Sequence, residues 1–389
     1  MIPKEAFQEW RNPRRGNGNG VDMTNPFWVH CVNEPQSGFC ANQEFGGASS
    51  LDAGPCWSFE RFGQTKTELP DGTIIYIAGE HEDSYDPDFY IYNDVTIIAP
   101  SGDVRILGYD EKVFPPTDFH TASLARDEII LIGNLGYPEN RKDTETPVYI
   151  LNTKDFSIRK QETQGGPGWI SDHNASIDIE KKVITVTDLK KWTSSTDIID
   201  DFSTWELDLK SWQWRQTAIK NWTQHFLYRA DGEHNSIFER RHSITMDQLD
   251  LGSHEDFIND IDDGADKKLM KEMIDEMLEE QKQLASTTSK EALETVYYPS
   301  IPFTEIPRPE PNWEDENTEE EYDNIEKQHP YNHFIVEVEA VILRFIENSD
   351  GITLRVEGEL DNTTLNTVLN DICNNLEKIE GAKFISKKI

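Results

Sequence analysis

The sequence predicts a mainly β chain: a β-propeller, incomplete or small, followed by an amphipathic-helix and acidic linker segment and a small α+β domain. Three observations predict it. Between residues 57 and 217 the apolar residues fall in short runs: TIIYIAG, DVTIIAP, EIILIGN, PVYILNT, KVITVTD and STWELDL. These are rich in Ile, Val, Tyr and Trp and are bounded by turn signals such as PDG, PSGD and TKD, as strands are. Helical periodicity is absent over the same stretch. The stretch also repeats. GQTKTELPDGTIIYIAGE, FHTASLARDEIILIGNLG and DHNASIDIEKKVITVTDL align on Gln64, His120 and His173, 56 and then 53 residues apart. Each is followed by a loop and then by NDVTIIAPSGDVRI, TPVYILNTKDFSIR or STWELDLKSWQWR. A period of roughly 50 residues with four short strands per unit is the pattern of propeller blades.

Propellers close with about four to eight blades, so three units leave strands to be found. MTNPFWVHCV (23–32) is one candidate strand, and WTQHFLYRADGEHNSIFERRHSI (222–244) reads as a hairpin turning at Ala230-Asp231-Gly232-Glu233. The first twenty residues are polar, basic and glycine-rich and are expected to be flexible. Beyond 250, Ser253 and Asp256 stand at capping-box spacing, and Leu269, Met270, Met273, Ile274, Met277, Leu278 and Leu284 form a helical apolar stripe. Residues 299–333 combine five prolines at 299–311 with a carboxylate run and read as an extended, solvated linker. FIVEVEAVILRFIEN and ITLRVEGEL then alternate as a hairpin around Ser-Asp-Gly. Asp361 caps a helix carrying Leu365, Val368, Leu369, Ile372, Cys373, Leu376 and Ile379 on one face, Gly381 stops it, and KFISKKI is a last strand. The expected domains are 1–22 (flexible N-terminus), 23–247 (propeller), 248–333 (helical segment and linker) and 334–389 (α+β). The last is marginal at its size and should pack on something.

The repeat units carry a family resemblance. Asn93-Asp94-Val95 and Thr204-Trp205-Glu206-Leu207-Asp208 look like third blade strands, and Trp214 stands where a closing tryptophan belongs, with Val104 and Ile158 in its place in the first two units. A double-glycine position reads Ala78-Gly79, Gly133-Asn134 and Thr187-Asp188. In order and spacing these residues resemble the kelch-repeat family, in its bacterial type. The resemblance implies a propeller whose repeat-start histidines, His120 and His173, brace neighbouring blades. It implies either a module that binds a protein through its loops or, as in some kelch-type propellers, an enzyme acting on sugars. The cysteine-linked tyrosine of the family's copper oxidases has no visible equivalent here.

Composition narrows the function. The net charge of −36, from 73 acidic against 37 basic side chains, disfavours nucleic acid and anionic membranes and favours basic partners or cations. No apolar run is long enough to span a membrane and no signal-peptide h-region appears, so the expectation is a cytoplasmic protein that binds neither membrane nor nucleic acid. Cys31, Cys40, Cys56 and Cys373 are too few for a disulfide framework and lack zinc-site spacing, so free thiols are expected. The motifs DxDxDG, HExxH, GxSxG, GxGxxG and GxxxxGK[ST] are absent.

Candidate site residues follow from blade geometry. In an antiparallel meander, the connector into each unit and the loop after its second strand open on one face. That face should carry Asp118, His120, Asp172 and His173, and from GEHEDSYDPDFYIYNDV the residues Glu80, His81, Glu82, Asp83, Asp86 and Asp88. Tyr137, Trp169 and Trp192 are their aromatic neighbours. Glu80, His81, Asp118 and His120 are the candidates for acid–base chemistry, as in a divalent-metal lyase or isomerase. Glu80, His81, Glu82 and His120 are the candidates for holding a divalent metal ion, the one cofactor the sequence suggests. Glu82, Asp83, Asp86, Asp88, Tyr137, Trp169, Asp172 and His173 would contact a protein partner, basic in character. The plain alternative is an acidic turn after a strand, with Asp86-Pro87 as the turn former.

Overall fold

The computed structural model describes residues 2–47, 54–82, 89–194, 197–220, 222–241, 243 and 289–307, scattered positions from 271 to 287, and 333–389. It divides into two compact units, Met1–Ile219 and Lys220–Ile389. The division falls earlier than the expected domain end at 247.

The first unit contains three four-stranded antiparallel blades. Helices α1 (Lys4–Trp10), α2 (Pro26–Asn33) and α3 (Gly38–Phe45) precede them, with strand β1 (Asn19–Asp22) between the first two helices. Blade 1 is the meander β2 (Thr65–Glu68), β3 (Ile74–Ile77), β6 (Val95–Ile98) and β7 (Val104–Tyr109), with β4 (Glu80–His81) and β5 (Tyr90–Ile91) forming a two-residue ladder on its loop. Blade 2 is β8 (Thr121–Ala125), β9 (Glu128–Ile132), β10 (Val148–Asn152) and β11 (Ile158–Lys160). Blade 3 is β13 (Asn174–Asp178), β14 (Val183–Thr187), β17 (Thr204–Asp208) and β18 (Gln213–Ala218). Its loop carries β15 (Leu189–Thr193) and β16 (Asp197–Asp201), which pair with β12 (Ile170–Ser171). All six runs read as strands are strands. The register also makes Ile98–Val104, Leu151–Ile158 and Leu207–Trp214 equivalent pairs, so the closing position is the one the sequence alignment gives.

The apolar pattern of each blade reflects its place in the series. Blade 2 is covered on both faces. Ile129, Leu131 and Leu151 join Ile75, Ile77, Val95 and Leu107 of blade 1, while Ile130, Ile132 and Ile150 join Ile184, Val186 and Leu207 of blade 3. Hence EIILI is continuously apolar, whereas VITVT alternates. The other face of blade 3 bears Ser176, Thr185, Glu206 and Arg215 in register, with Arg215 and Glu206 ion-paired at 2.6 Å. The face of blade 1 turned away from blade 2 carries Tyr76, Ile98, Val104 and Ile106, and Phe7, Phe27, Trp28, Val32 and Phe45 of the helices pack on it. Helices therefore occupy the seat of a preceding blade, and a polar face ends the series, as repeat proteins require of their terminal units. Among the described residues there is no fourth blade of this kind.

Two expectations for the N-terminus change. MTNPFWVHCV is helical because Asn25 caps Trp28 N–H, Pro26 stands at the first turn, and the apolar residues fall on a helical face. Residues 2–22 are ordered, because Phe7 is buried and β1 pairs with β7. Asn19 also exchanges two hydrogen bonds with the Ile158 backbone, at 2.7 and 2.8 Å.

Blade starts repeat their geometry. Gly63, Phe119 and Asp172 all have positive φ, and Phe119 N–H donates to Gly63 O as Asp172 N–H donates to Phe119 O. The double-glycine position is left-handed in all three blades, at Ala78 (φ 54°), Gly133 (φ 83°) and Asp188 (φ 54°). Ala78 and Asp188 hold this conformation against a cost of about 1 kcal/mol each. Gly133 has no latitude, since a Cβ there would lie 2.6 Å from Ile170 O and 2.7 Å from the His173 ring.

The second unit is one six-stranded sheet with a helix packed on a face. In sheet order the strands are β20 (Thr304–Ile306), β21 (His333–Val338), β22 (Val341–Asn348), β23 (Gly351–Glu357), β19 (Thr223–Arg229) and β24 (Phe384–Lys388). The long helix α5 (Asn362–Glu380) follows the short helix α4 (Lys290–Glu294) in the chain. It buries Val368, Leu369, Ile372 and Leu376 against the sheet. Asp361 accepts from Thr363 and Thr364 N–H, and Gly381 ends α5 in the left-handed region, as the sequence indicates.

Three expectations change here. The run 222–244 does not form a hairpin for the propeller. Its first part is β19, inserted between β23 and β24, and 237–241 is helical. Residues 299–307 are ordered, with β20 pairing with β21 and Ser300 donating to Asp371. FIVEVEAVILRFIEN is two strands, because Glu339 (φ 51°) and Ala340 (φ 64°) form a tight turn without the usual Asn-Gly signal. The helical stripe from Leu269 to Leu278, the Ser253–Asp256 capping box and the acidic run 308–332 lie outside the described residues. No helix among the described residues is long and apolar enough to cross a membrane. Cys31, Cys40, Cys56 and Cys373 are all free thiols.

Candidate functional site

The site forms where the connector into blade 2 crosses the loop of blade 1. Phe62 pairs with Glu80 across an isolated bridge, and Glu80 and His81 pair in turn with Ile91 and Tyr90. Gly79 N–H then donates to Thr117 O, which brings Asp118 against this ladder. Asp118 is fully buried. Its Oδ1 accepts Gly136 N–H at 2.6 Å, and its buried Oδ2 takes no backbone or basic side-chain donor among the described residues. The Glu80 carboxyl hydrogen-bonds the Asp118 side chain. Two carboxyls in hydrogen-bond contact cannot both ionise cheaply. Burial first, and then the Asp118 charge and hydrogen bond, push Glu80 up to about 7. Asp118 is also raised, by burial, while the Gly136 N–H, the proton held by Glu80 and the Arg141 charge oppose the rise. The pair therefore shares a proton that resides on Glu80.

A small support holds the pair. Arg141 donates to Leu135 O and Gly136 O, both at 3.0 Å, and Trp169 Nε1 donates to Leu135 O at 3.2 Å. These bonds fix the Leu135–Gly136 turn that presents the Gly136 N–H. Tyr137 hydroxyl accepts Ile91 N–H at 3.1 Å, and its ring meets Phe89 edge-on. Phe62 is 67 % exposed and Phe89 46 %, so two aromatic rings stand open on the ladder that carries Glu80.

The remaining sequence candidates separate by role. His120 Nε2 bonds Thr65 Oγ1 at 2.8 Å and His173 Nε2 bonds Thr121 Oγ1 at 2.9 Å. Each histidine joins the start of its blade to the first strand of the blade before. Burial depresses them to about 3 and about 4, so both are neutral braces. His81 Nδ1 faces Glu60 O at 3.0 Å and its ring lies at the surface. Glu82 is exposed and adds negative charge beside Glu80. Asp172 is exposed at the start of blade 3, and Trp192 lies on the loop of that blade. Asp83, Asp86 and Asp88 lie outside the described residues. Among the described residues no three His, Cys, Asp or Glu side chains gather as a metal-holding group.

Sequence reasoning brought Glu80 and Asp118 to one face but missed Arg141, Phe62 and Phe89. A signal existed for Phe62, a large apolar residue directly before the glycine of a blade start. Arg141 had none, because its role depends on carbonyls in a loop.

A second polar centre lies in the second unit. Glu347 is buried, takes Arg241 at 3.0–3.3 Å and accepts the Tyr297 hydroxyl at 2.8 Å. A cavity of about 170 Å³ beside it is lined by Arg241, Tyr298, Glu305, His333 and Phe334, among others.

No family profile matches the chain, and no curated protein matches it in sequence. Among solved structures, part of the chain aligns with YjhT at 11 % identity and a TM-score of 0.32, over 42 % of this chain and 55 % of that one. It also aligns with a fungal alcohol oxidase of the AA5 family in complex with copper, at 13 % identity and a TM-score of 0.28, over 42 % and 45 %. The chain thus spans about half the length of each. Likeness at that level fixes neither fold nor activity.

Proposed function

We propose that the chain is a kelch-type binding module whose blade-loop face recognises a basic protein partner. The observation carrying this reading is the exposure of Phe62 and Phe89 beside the Glu80–Asp118 carboxyl pair. Exposed aromatic rings around a desolvated charged centre are the composition of interaction hot spots. A net charge of −36 supplies long-range attraction for a basic partner. The test is site-specific photo-crosslinking in the native cell, with the crosslinker at Phe62 or Phe89 and, as control, at Ser176 or Arg215 on the polar end of blade 3. The expected result is one polypeptide captured from the loop face, absent from the blade 3 controls, and lost on Glu80→Gln. Equal capture from both faces, or none from the loop face, refutes it.

One observation favours a second reading. A carboxyl poised at about 7 beside an ionised partner is suited to general acid–base work, so a lyase or isomerase acting on a sugar-type substrate is the alternative. A divalent metal belongs to that alternative only through residues beyond this pair. Turnover of a small molecule lost equally in Glu80→Gln and Asp118→Asn would favour it.

A further inference from the structure

The second unit carries an open sheet edge. β24 lies at one end of the six-stranded sheet and pairs with β19 alone. Ala230 N–H donates to Lys383 O, and Ile389 N–H donates to Gln224 O. In an antiparallel ladder those two bonds fix the alternation between them. Residues 385 and 387 therefore exchange bonds with β19, while the N–H and C=O groups of Phe384, Ser386 and Lys388 point away from the sheet. Among the described residues no backbone group bonds them. Ile385, Ser386, Lys387 and Lys388 are exposed, so the edge is open along most of its length.

The chemistry of this edge is basic. The stretch 383–388 holds Lys383, Lys387 and Lys388 and no acid, in a chain of net charge −36. None of these lysines is ion-paired among the described residues. Their cross-strand neighbours add no negative charge. Lys387 stands opposite Phe226 and lies over the stacked rings of Phe226 and Tyr228, 5.6 Å from each centroid. Lys388 stands opposite His225 on the other face. His225 is buried, and burial first, then the Lys388 charge, hold it below its usual range, so it is neutral. Lysine on an edge ordinarily repels an identical edge. Two copies of β24 would bring the lysines of both together, whereas an acidic strand would meet them with opposite charge.

We propose that the open edge of β24 takes an extended acidic segment of another protein by strand addition. The segment exchanges main-chain hydrogen bonds with Phe384, Ser386 and Lys388, and its carboxylates meet Lys388 on one face of the sheet and Lys387 on the other. This surface belongs to the second unit, and the inference is independent of the loop-face reading.

The test uses the full chain and two capped peptides, Thr-Glu-Glu-Thr-Glu-Glu-Thr and its counterpart with lysine for glutamate, with binding and amide exchange followed by NMR. The glutamate peptide should bind and slow exchange at the Phe384, Ser386 and Lys388 amides about tenfold or more; the lysine peptide should not bind. Lys387→Glu combined with Lys388→Glu should weaken binding about tenfold. Ser386→Pro removes an outward N–H that the fold does not use, so it should abolish binding with little change in Tm. A fully N-methylated glutamate peptide, which cannot donate to the edge, tests the same bonds without altering the chain and should not bind. Equal binding of the glutamate and lysine peptides, protection that misses those three amides, undiminished binding of the N-methylated peptide, or no binding of the glutamate peptide overturns the proposal. So does a concentration-dependent dimer that Ser386→Pro abolishes, which would assign the edge to a second copy of this chain.

Discussion

Replacing Glu80 by glutamine should stabilise the protein at alkaline pH and leave it little changed in acid. The sign follows from linkage. Glu80 binds its proton more tightly in the folded state, where it titrates at about 7, than in an unfolded chain, where it titrates near 4.5. Between those values the folded state holds more protons, so wild-type stability falls as pH rises from about 4.5 through 7. At about 1.4 kcal/mol for each tenfold change in acidity, the full effect would be roughly 3 kcal/mol. Glu80 is half-buried, and solvent screening reduces the expected cost to about 1–2 kcal/mol above pH 8. Glutamine keeps the shape and can donate an amide N–H to Asp118, so it removes the cost without opening a cavity. The assay is urea unfolding of wild type and Glu80→Gln at pH 5, 6, 7 and 8, read as the difference at each pH so that other titrating groups cancel. The variant should gain on the wild type progressively across that range. Parallel pH profiles, or a variant less stable at pH 8, would refute the shared-proton geometry.

Three further outcomes are expected. Arg61 is buried, forms a two-pronged pair with Asp94 at 2.5 and 3.1 Å, and lies over the Tyr92 ring, so Arg61→Met strands the Asp94 charge and should cost about 3–5 kcal/mol in chemical denaturation. Gly133→Ala should destabilise by more than 2 kcal/mol in the same assay, since its Cβ meets Ile170 O and His173; Gly102→Ala, with equally positive φ but open space around it, should cost only about 1 kcal/mol. His120 and His173 should show no titration by NMR between pH 5 and 8. Because burial lowers both from 6.5, the stability they contribute is present in full above pH 6.5, is lost progressively as pH falls below it, and is gone below about pH 4 for His173 and about pH 3 for His120.

Much of the blade architecture is legible in the chain itself. The repeat period located every blade strand, since a strand's alternation and its turn residues are local properties. The contrast between EIILI and VITVT carried the burial of blade 2 and the half-exposure of blade 3, although that meaning emerges only once the neighbours are known. The fate of MTNPFWVHCV was less legible, because a short apolar run suits a strand or a buried helix equally. WTQHFLYR was misplaced for another reason. A strand's partners are set by which sheet edge is open, and here that opening lies between β23 and β24, more than a hundred residues away.

By itself the sequence determined the blades, the cap and stop of α5, the strong negative charge, and the face on which Glu80 and Asp118 stand. Each depends on local periodicity, on residue chemistry or on the antiparallel rule. Only the tertiary structure decided that helices replace a preceding blade, that the bracing histidines His120 and His173 are neutral, and that Glu80 and Asp118 share a proton. Those outcomes depend on burial and on separations of a few ångströms between residues distant in sequence. Desolvation and charge coupling change steeply over such distances, and nothing in a linear pattern records them.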